Sequence, residues 1–177
     1  MSKPVLGIIG GGQLGSMLAS AASKIDIKTI IFCDDPDAPA QNFASAFICG
    51  KYDDQDKIDE FIKNVDVVTF EFENIPYETL NVINKIKPVL PKPSINRIIQ
   101  HRLAEKDFIN KLNIRTTQYV SIKNMSEINA VENLIPGLLK TMTLGYDGKG
   151  QYKINSMEEL NELDIDFSKD YILEKYV

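Results

Sequence analysis

Residues 5–9, Val-Leu-Gly-Ile-Ile, form an apolar run that ends on Gly10-Gly11-Gly12-Gln13-Leu14-Gly15. An extended segment has to turn sharply there, and glycine admits both the left-handed backbone and the close approach of another group. Beyond the turn, Leu14, Met17, Leu18, Ala21 and Ala22 recur at the spacing of a helix face. A short buried strand, a glycine turn and a helix make a unit that parallel neighbours can repeat. The repetition continues. Residues 29–32, 46–49 and 65–70 read as strands, Asp66 excepted, and Val89-Leu90 as a short strand between prolines. Residues 54–64, with Ile58, Phe61 and Ile62 on one side, and residues 79–86 read as helices. Residues 1–92 are therefore expected to be an α/β domain, a Rossmann-like parallel sheet with helices on both faces. Ligands of such sheets lie beyond the carboxyl ends of the strands, where residues 10–15 and 71–76 fall.

The pattern then changes. Pro91-Lys92-Pro93 reads as a stiff connector. Ser94 reads as the cap of one helix running to about residue 112, with Ile95, Ile98, Ile99, Leu103, Phe108 and Ile109 as its apolar set. Strands are expected at residues 116–122, 138–141, 152–154 and 171–177, and helices at 126–133 and 157–163. Residues 93–177 thus read as a linker helix and a small α+β module. The last strand is expected to be cut by the end of the chain, which reads as a portion of a longer protein.

Composition narrows the functions. Twenty Lys and Arg against 25 Asp and Glu leave a net charge of -5, so no basic surface is available for the phosphate neutralisation on which nucleic-acid binding depends. No apolar run reaches the roughly 18 residues of a membrane span. Met1-Ser2-Lys3-Pro4 leads straight into the first strand without a signal peptide. Cys33 and Cys49 have no metal spacing with the lone His101 and read as reduced thiols. A cytoplasmic protein handling small molecules is expected.

Four segments carry candidate chemistry. The first is the turn itself, which fits G-x-G-x-x-G between strand and helix. With Asp34 after the second strand it matches a nicotinamide site, and it equally suits a mononucleotide or phosphate monoester. Its glycines also serve a bare strand–helix junction. The second is Gly145-Tyr146-Asp147-Gly148-Lys149-Gly150-Gln151 following Lys140. Backbone donors and a lysine at a strand end suit a triphosphate, and an ordinary hairpin with solvated lysines accounts for the same spacing. The third is Glu71-Phe72-Glu73-Asn74-Ile75-Pro76, whose carboxylates and amide suit ribose hydroxyls or else cap the next helix. The fourth is Glu174-Lys175-Tyr176-Val177, an extended segment able to offer adenine a backbone donor and acceptor. His101 reads as a surface residue of the long helix.

Taken in order, Gly10-Gly11-Gly12-Gln13-Leu14-Gly15, Phe70-Glu71-Phe72-Glu73-Asn74-Ile75-Pro76, His101-Arg102-Leu103-Ala104-Glu105-Lys106, Lys140 and the Gly145-to-Gln151 loop resemble the 5-(carboxyamino)imidazole ribonucleotide synthase family of ATP-grasp ligases. The resemblance spans the whole chain. It implies a pre-ATP-grasp domain that binds the ribonucleotide without NAD, followed by an incomplete ATP-grasp small domain. It implies that ATP and bicarbonate form carboxyphosphate, whose CO2 passes to the amino group of aminoimidazole ribonucleotide. Arg102, Lys140, Gly145, Tyr146, Asp147, Gly148, Lys149, Gly150, Gln151, Glu174, Lys175, Tyr176 and Val177 match its ATP-contacting positions. Gly12, Gln13 and Leu14 match its phosphate-side turn, with Glu73 and Asn74 toward the ribose. Mg2+ is implied, with carboxylate ligands beyond this chain, as is a homodimer formed largely outside it. Met142 and Leu144 depart from the arginine and glycine common there. An NAD-dependent oxidoreductase, or a non-catalytic nucleotide-binding module, are the competing readings.

Overall fold

The computed structural model of the chain describes residues 3–124, 127, 131–145 and 150–177. The chain divides into two compact units, Met1–Arg97 and Ile98–Val177. In the first, β1 (Leu6–Ile9), β2 (Thr29–Cys33), β3 (Ala46–Cys49) and β4 (Val67–Phe70) form a sheet of order β3-β2-β1-β4. Every pairing is parallel, and Val89 adds a parallel bridge to Val68. Side chains alternate across a strand, so each strand feeds two cores. Ile9, Ile30, Phe32 and Val68 pack with Ile58, Phe61 and Ile62 of α2 (Gln55–Asn64) and with Leu80 and Ile83 of α3 (Tyr77–Asn84). Ile8, Ile31 and Cys33 pack with Ala19 of α1 (Gln13–Lys24) and with Ala38 and Ala40 around the 3-10 turn Pro39–Asn42. The helices on both faces follow from this alternation, as the sequence predicts.

The expected single helix after the prolines is two helices, α4 (Pro93–Ile99) and α5 (Arg102–Lys111). Ser94 lies inside α4 rather than capping it. The chain breaks at His101, which is extended (φ -130°, ψ 106°) and caps α5, its Nδ1 accepting the Ala104 amide. The cause is tertiary: the Arg102 amide, which a continuous helix would keep, donates instead to the Met142 carbonyl at 3.0 Å. The expected apolar face is also absent from α5, which buries no residue, and Phe108 is 38% exposed.

The second unit holds an antiparallel sheet of order β5-β8-β6-β7, made of β5 (Tyr119–Ile122), β6 (Gly137–Thr141), β7 (Gln151–Ile154) and β8 (Tyr171–Lys175). One face packs Leu139, Ile154, Tyr171 and Leu173 onto Leu160 of α6 (Met157–Glu162), with Val131 and Leu134. The last strand ends at Lys175, two residues before the chain does, and lies between β5 and β6 with a partner on each side. The strand expected from residue 116 begins at Tyr119. Of the helix expected over 126–133, Ser126 and residues 128–130 lie outside the described residues, and Glu132–Leu134 form a 3-10 turn.

Candidate functional site

The glycine turn sits where the parallel order reverses, between the carboxyl ends of β1 and β4. Gly10 is left-handed (φ +102°), and a Cβ there would stand 2.6 Å from Glu71 Oε1. The Glu71 carboxylate accepts the Gly12 amide at 2.9 Å and closes the turn from the β4 side. Gly12 is the N-cap of α1 and has no side chain of its own to accept a first-turn amide. Among the described residues no side chain accepts the first-turn amides of Gln13 and Leu14, and a helix N-terminus favours an anion. Glu73 and Asn74 lie in the adjoining turn, where Asn74 Nδ2 donates to Glu73 Oε1 at 3.3 Å. The N-cap of α3 is Pro76, which has no side-chain cap bond of its own.

In the second unit the polar face of the sheet gathers three charges. Glu174 pairs across β8 and β6 with Leu138, so Lys140, two residues along, lies on the same face within reach of a long side chain. Lys140 Nζ stands 3.0 Å from Glu174 Oε2, and Lys106 Nζ, from α5, stands 3.5 Å from the same oxygen. The three side chains are only 21%, 15% and 10% exposed for Lys140, Lys106 and Glu174. Tyr119 is Glu174's partner on β5, and Lys106 Nζ lies 5.4 Å from its ring centroid. The Tyr119 hydroxyl donates to Asp107 Oδ1 at 2.7 Å and accepts from Asn110 Nδ2 at 2.9 Å. Burial and the Asp107 carboxylate push this phenol above its usual range. Two ammonium groups on one carboxylate leave one net positive charge in a sheltered place, which attracts an anion more strongly than an exposed lysine does.

Loop geometry surrounds this cluster. Arg102 Nη1 donates to the Thr141 carbonyl at 2.7 Å and Nη2 to the Gly145 carbonyl, tying the head of α5 to the end of β6. Across the hairpin Lys140 is in register with Gln151. Gly150 is left-handed (φ +68°), and a Cβ there would stand 2.8 Å from Thr141 Oγ1, so the return into β7 requires glycine. Tyr146, Asp147, Gly148 and Lys149 lie outside the described residues. At the end of β8, the Lys175 amide donates to Gln118 O and, just past it, the Tyr176 amide to Pro136 O, both at 2.9 Å. Thr117 Oγ1 donates to Lys175 O at 2.8 Å, so the segment leading to Val177 is held from both edges. A cavity of about 570 Å³ opens beside these elements, lined by His101, Met142, Leu144 and Asp170 among others. Lys140, Lys106 and Glu174 are not among its lining residues, so the charge cluster, not this hollow, is the better candidate site. Among the described residues no three His, Cys, Asp or Glu gather as a metal site.

Sequence reasoning brought out Lys140 and Glu174 separately. It gave Lys106 no role, and it read Glu71 only as one of two carboxylates suited to ribose hydroxyls, not as the residue that closes the glycine turn. The signal for Lys106 is its place one helical turn after Arg102 in the His101-to-Lys106 stretch.

A parallel-sheet unit with a glycine turn, followed by an antiparallel unit with a lysine pair beside a glycine hairpin, is the order found in ATP-grasp enzymes. Residues 2–100 match the family model of the ribonucleotide synthetase preATP-grasp domain, and residues 107–177 that of the ATP-grasp domain. The chain belongs to the ribonucleotide synthetase preATP-grasp family, and with it to the ATP-grasp ligases. Within that class it is similar to N5-carboxyaminoimidazole ribonucleotide synthases, which bears out the resemblance seen in the sequence. The synthase of Staphylococcus epidermidis is 38% identical over 159 residues, which is 89% of this chain and 42% of that protein. The bifunctional purine synthesis protein purC/E of Dictyostelium discoideum is 41% identical over 159 residues, 89% of this chain and 16% of its own length. The crystal structure of the Staphylococcus aureus synthetase complexed with ADP matches with a TM-score of 0.89 and 34% identity, over 98% of this chain and 48% of that one. The chain therefore spans less than half the length of these relatives.

Proposed function

We propose that the chain supplies the ribonucleotide-binding domain and one ATP-binding jaw of an N5-carboxyaminoimidazole ribonucleotide synthase acting in purine biosynthesis. The γ-phosphoryl group of ATP passes to bicarbonate, giving carboxyphosphate and ADP. Carboxyphosphate releases phosphate and CO2, and the amino group of 5-aminoimidazole ribonucleotide captures the CO2. The observation that carries the reading is the pair of sheltered lysines on Glu174 beside a glycine hairpin, in a unit separate from the first glycine turn. One turn alone would serve a dinucleotide; two anion-attracting places in two units suit two phosphorylated molecules.

On this reading Lys140 offsets triphosphate charge. Gly145, Gly150 and the loop between them close over the phosphates and exclude water from the labile acyl phosphate. The strand end at Glu174, Lys175, Tyr176 and Val177 borders the adenine. Gly12, Gln13 and Leu14 offer amides to the ribonucleotide, with Glu73 and Asn74 toward its ribose. Mg2+ travels with the triphosphate, its protein ligands lying outside residues 1–177. The protein works in the cytoplasm as a homodimer. Among the described residues no helix is long and apolar enough to cross a membrane.

The test is phosphate release from ATP by the protein that contains this chain. Release that requires both bicarbonate and aminoimidazole ribonucleotide is expected. Release indifferent to the ribonucleotide, together with micromolar NADH binding, would overturn the reading in favour of an oxidoreductase.

A further inference from the structure

Lys106 is the one charged side chain of the cluster for which the function just proposed has no use. Its ammonium stands 3.5 Å from Glu174 Oε2, while Lys140 reaches the same oxygen at 3.0 Å from another strand. Glu174 is among the few buried charged or polar residues of the chain. A buried carboxylate is stable only while a cation or hydrogen-bond donor faces it. The proposed function asks Lys140 to turn toward a phosphate, which takes from Glu174 its nearer cation. Lys106 is then what remains.

Lys106 is also fixed in a way Lys140 is not. It lies over the ring of Tyr119, and that ring is held at its hydroxyl by Asp107 and Asn110. Both belong to α5, as Lys106 does, so helix, ring and ammonium form one assembly against β5. A cation over an aromatic face on such a support has little freedom to follow a ligand. Lys140 reaches Glu174 from β6, and among the described residues no ring contact to it is seen.

We propose that Lys106 is a positioning residue for the nucleotide: it holds the Glu174 side chain in place while Lys140 passes from Glu174 to the phosphates. The inference rests on nucleotide binding by the second unit. Lys106 acts through Glu174 rather than by touching the nucleotide, and a double-mutant cycle separates the two.

The experiment is titration calorimetry with ADP on the protein containing this chain. It compares the unaltered protein with Lys106→Met, Lys106→Gln, Lys106→Arg, Glu174→Gln and the Lys106→Met/Glu174→Gln double variant. Lys106→Met is expected to weaken ADP about tenfold, the scale of a 1.4 kcal/mol interaction. Lys106→Arg should restore most of the loss. In the Glu174→Gln background Lys106→Met should change the affinity by less than about twofold. An unchanged affinity in Lys106→Met sinks the inference and leaves the function standing. So does an equal loss in both backgrounds, which would mean direct contact with the nucleotide. If Lys106→Met does not fold, Lys106→Gln is read by the same criteria. Absence of ADP binding in the unaltered protein overturns the function and this inference with it.

Discussion

Glu71 and Glu174 are both carboxylates at strand ends, and their surroundings divide their work. Glu71 faces a backbone: it accepts the Gly12 amide and lies against Gly10, so it shapes the turn. Glu174 faces two ammonium groups. Gly10→Ala places a methyl group against Glu71 in a left-handed backbone. It is expected to cost on the order of 1–3 kcal/mol, measured by denaturant unfolding. A variant as stable as the parent would mean that the turn can relax. Tyr52 supplies a pH signature. Burial, then the neighbouring Cys33, pushes its phenol above the ordinary value near 10. Above that pH the unfolded chain gives up a proton that the folded chain retains. Stability is thus whole below pH 10 and falls as pH rises beyond it, by at most about 1.4 kcal/mol per pH unit for this group. Tyr52→Phe should flatten that alkaline fall, read by denaturant melts between pH 9 and 11, and an unchanged slope would remove Tyr52 as its source.

At the scale of elements, the break between α4 and α5 is the feature on which the second site depends. A continuous helix would have kept the Arg102 amide for itself. Instead that amide and the guanidinium both bind the end of β6, through the carbonyls of Met142, Thr141 and Gly145. The head of α5 is thereby pinned to the start of the glycine hairpin, and Lys106, one turn on, falls over Tyr119 and Glu174. Arg102→Lys keeps the charge and loses the planar fork that serves two carbonyls. It is expected to lower stability by about 1–3 kcal/mol, the cost of leaving a part-buried acceptor without its donor. A thermal melt reports this, and an unchanged midpoint would show that solvent satisfies the carbonyls equally well.

For the whole molecule, two units with separate cores, given one ligand each by the proposed function, should show two separable ligand responses. ADP at 100 times its dissociation constant should stabilise the protein by about 2.7 kcal/mol. Hydrogen exchange should slow at amides of β6 and β8. Aminoimidazole ribonucleotide should instead slow exchange at Gly12, Gln13 and Leu14. Protection of the first turn by ADP alone would contradict the assignment of the two ligands to two units.

Much of this arrangement was legible before any coordinates. The first unit's sheet followed from apolar runs punctuated by glycine and proline, because a parallel strand buried on both faces has to be apolar throughout and its turn has to be small. Gly12, Lys140 and Glu174 were legible as site candidates for the same local reason: each stands at a strand end or beside glycines. What the sequence could not carry were the consequences of long-range pairing. The helix broke at His101 because a carbonyl about 40 residues later took the Arg102 amide, and periodicity, which sees only neighbours, extended the helix through it. Lys106 stood in the His101-to-Lys106 stretch with no role of its own until β5 and β8 came together beneath it. Local backbone preference and hydrophobic alternation determined the elements; the meeting of Lys106, Lys140 and Glu174, separated by 34 residues or more, was decided by strand register, which exists only once the sheet has formed.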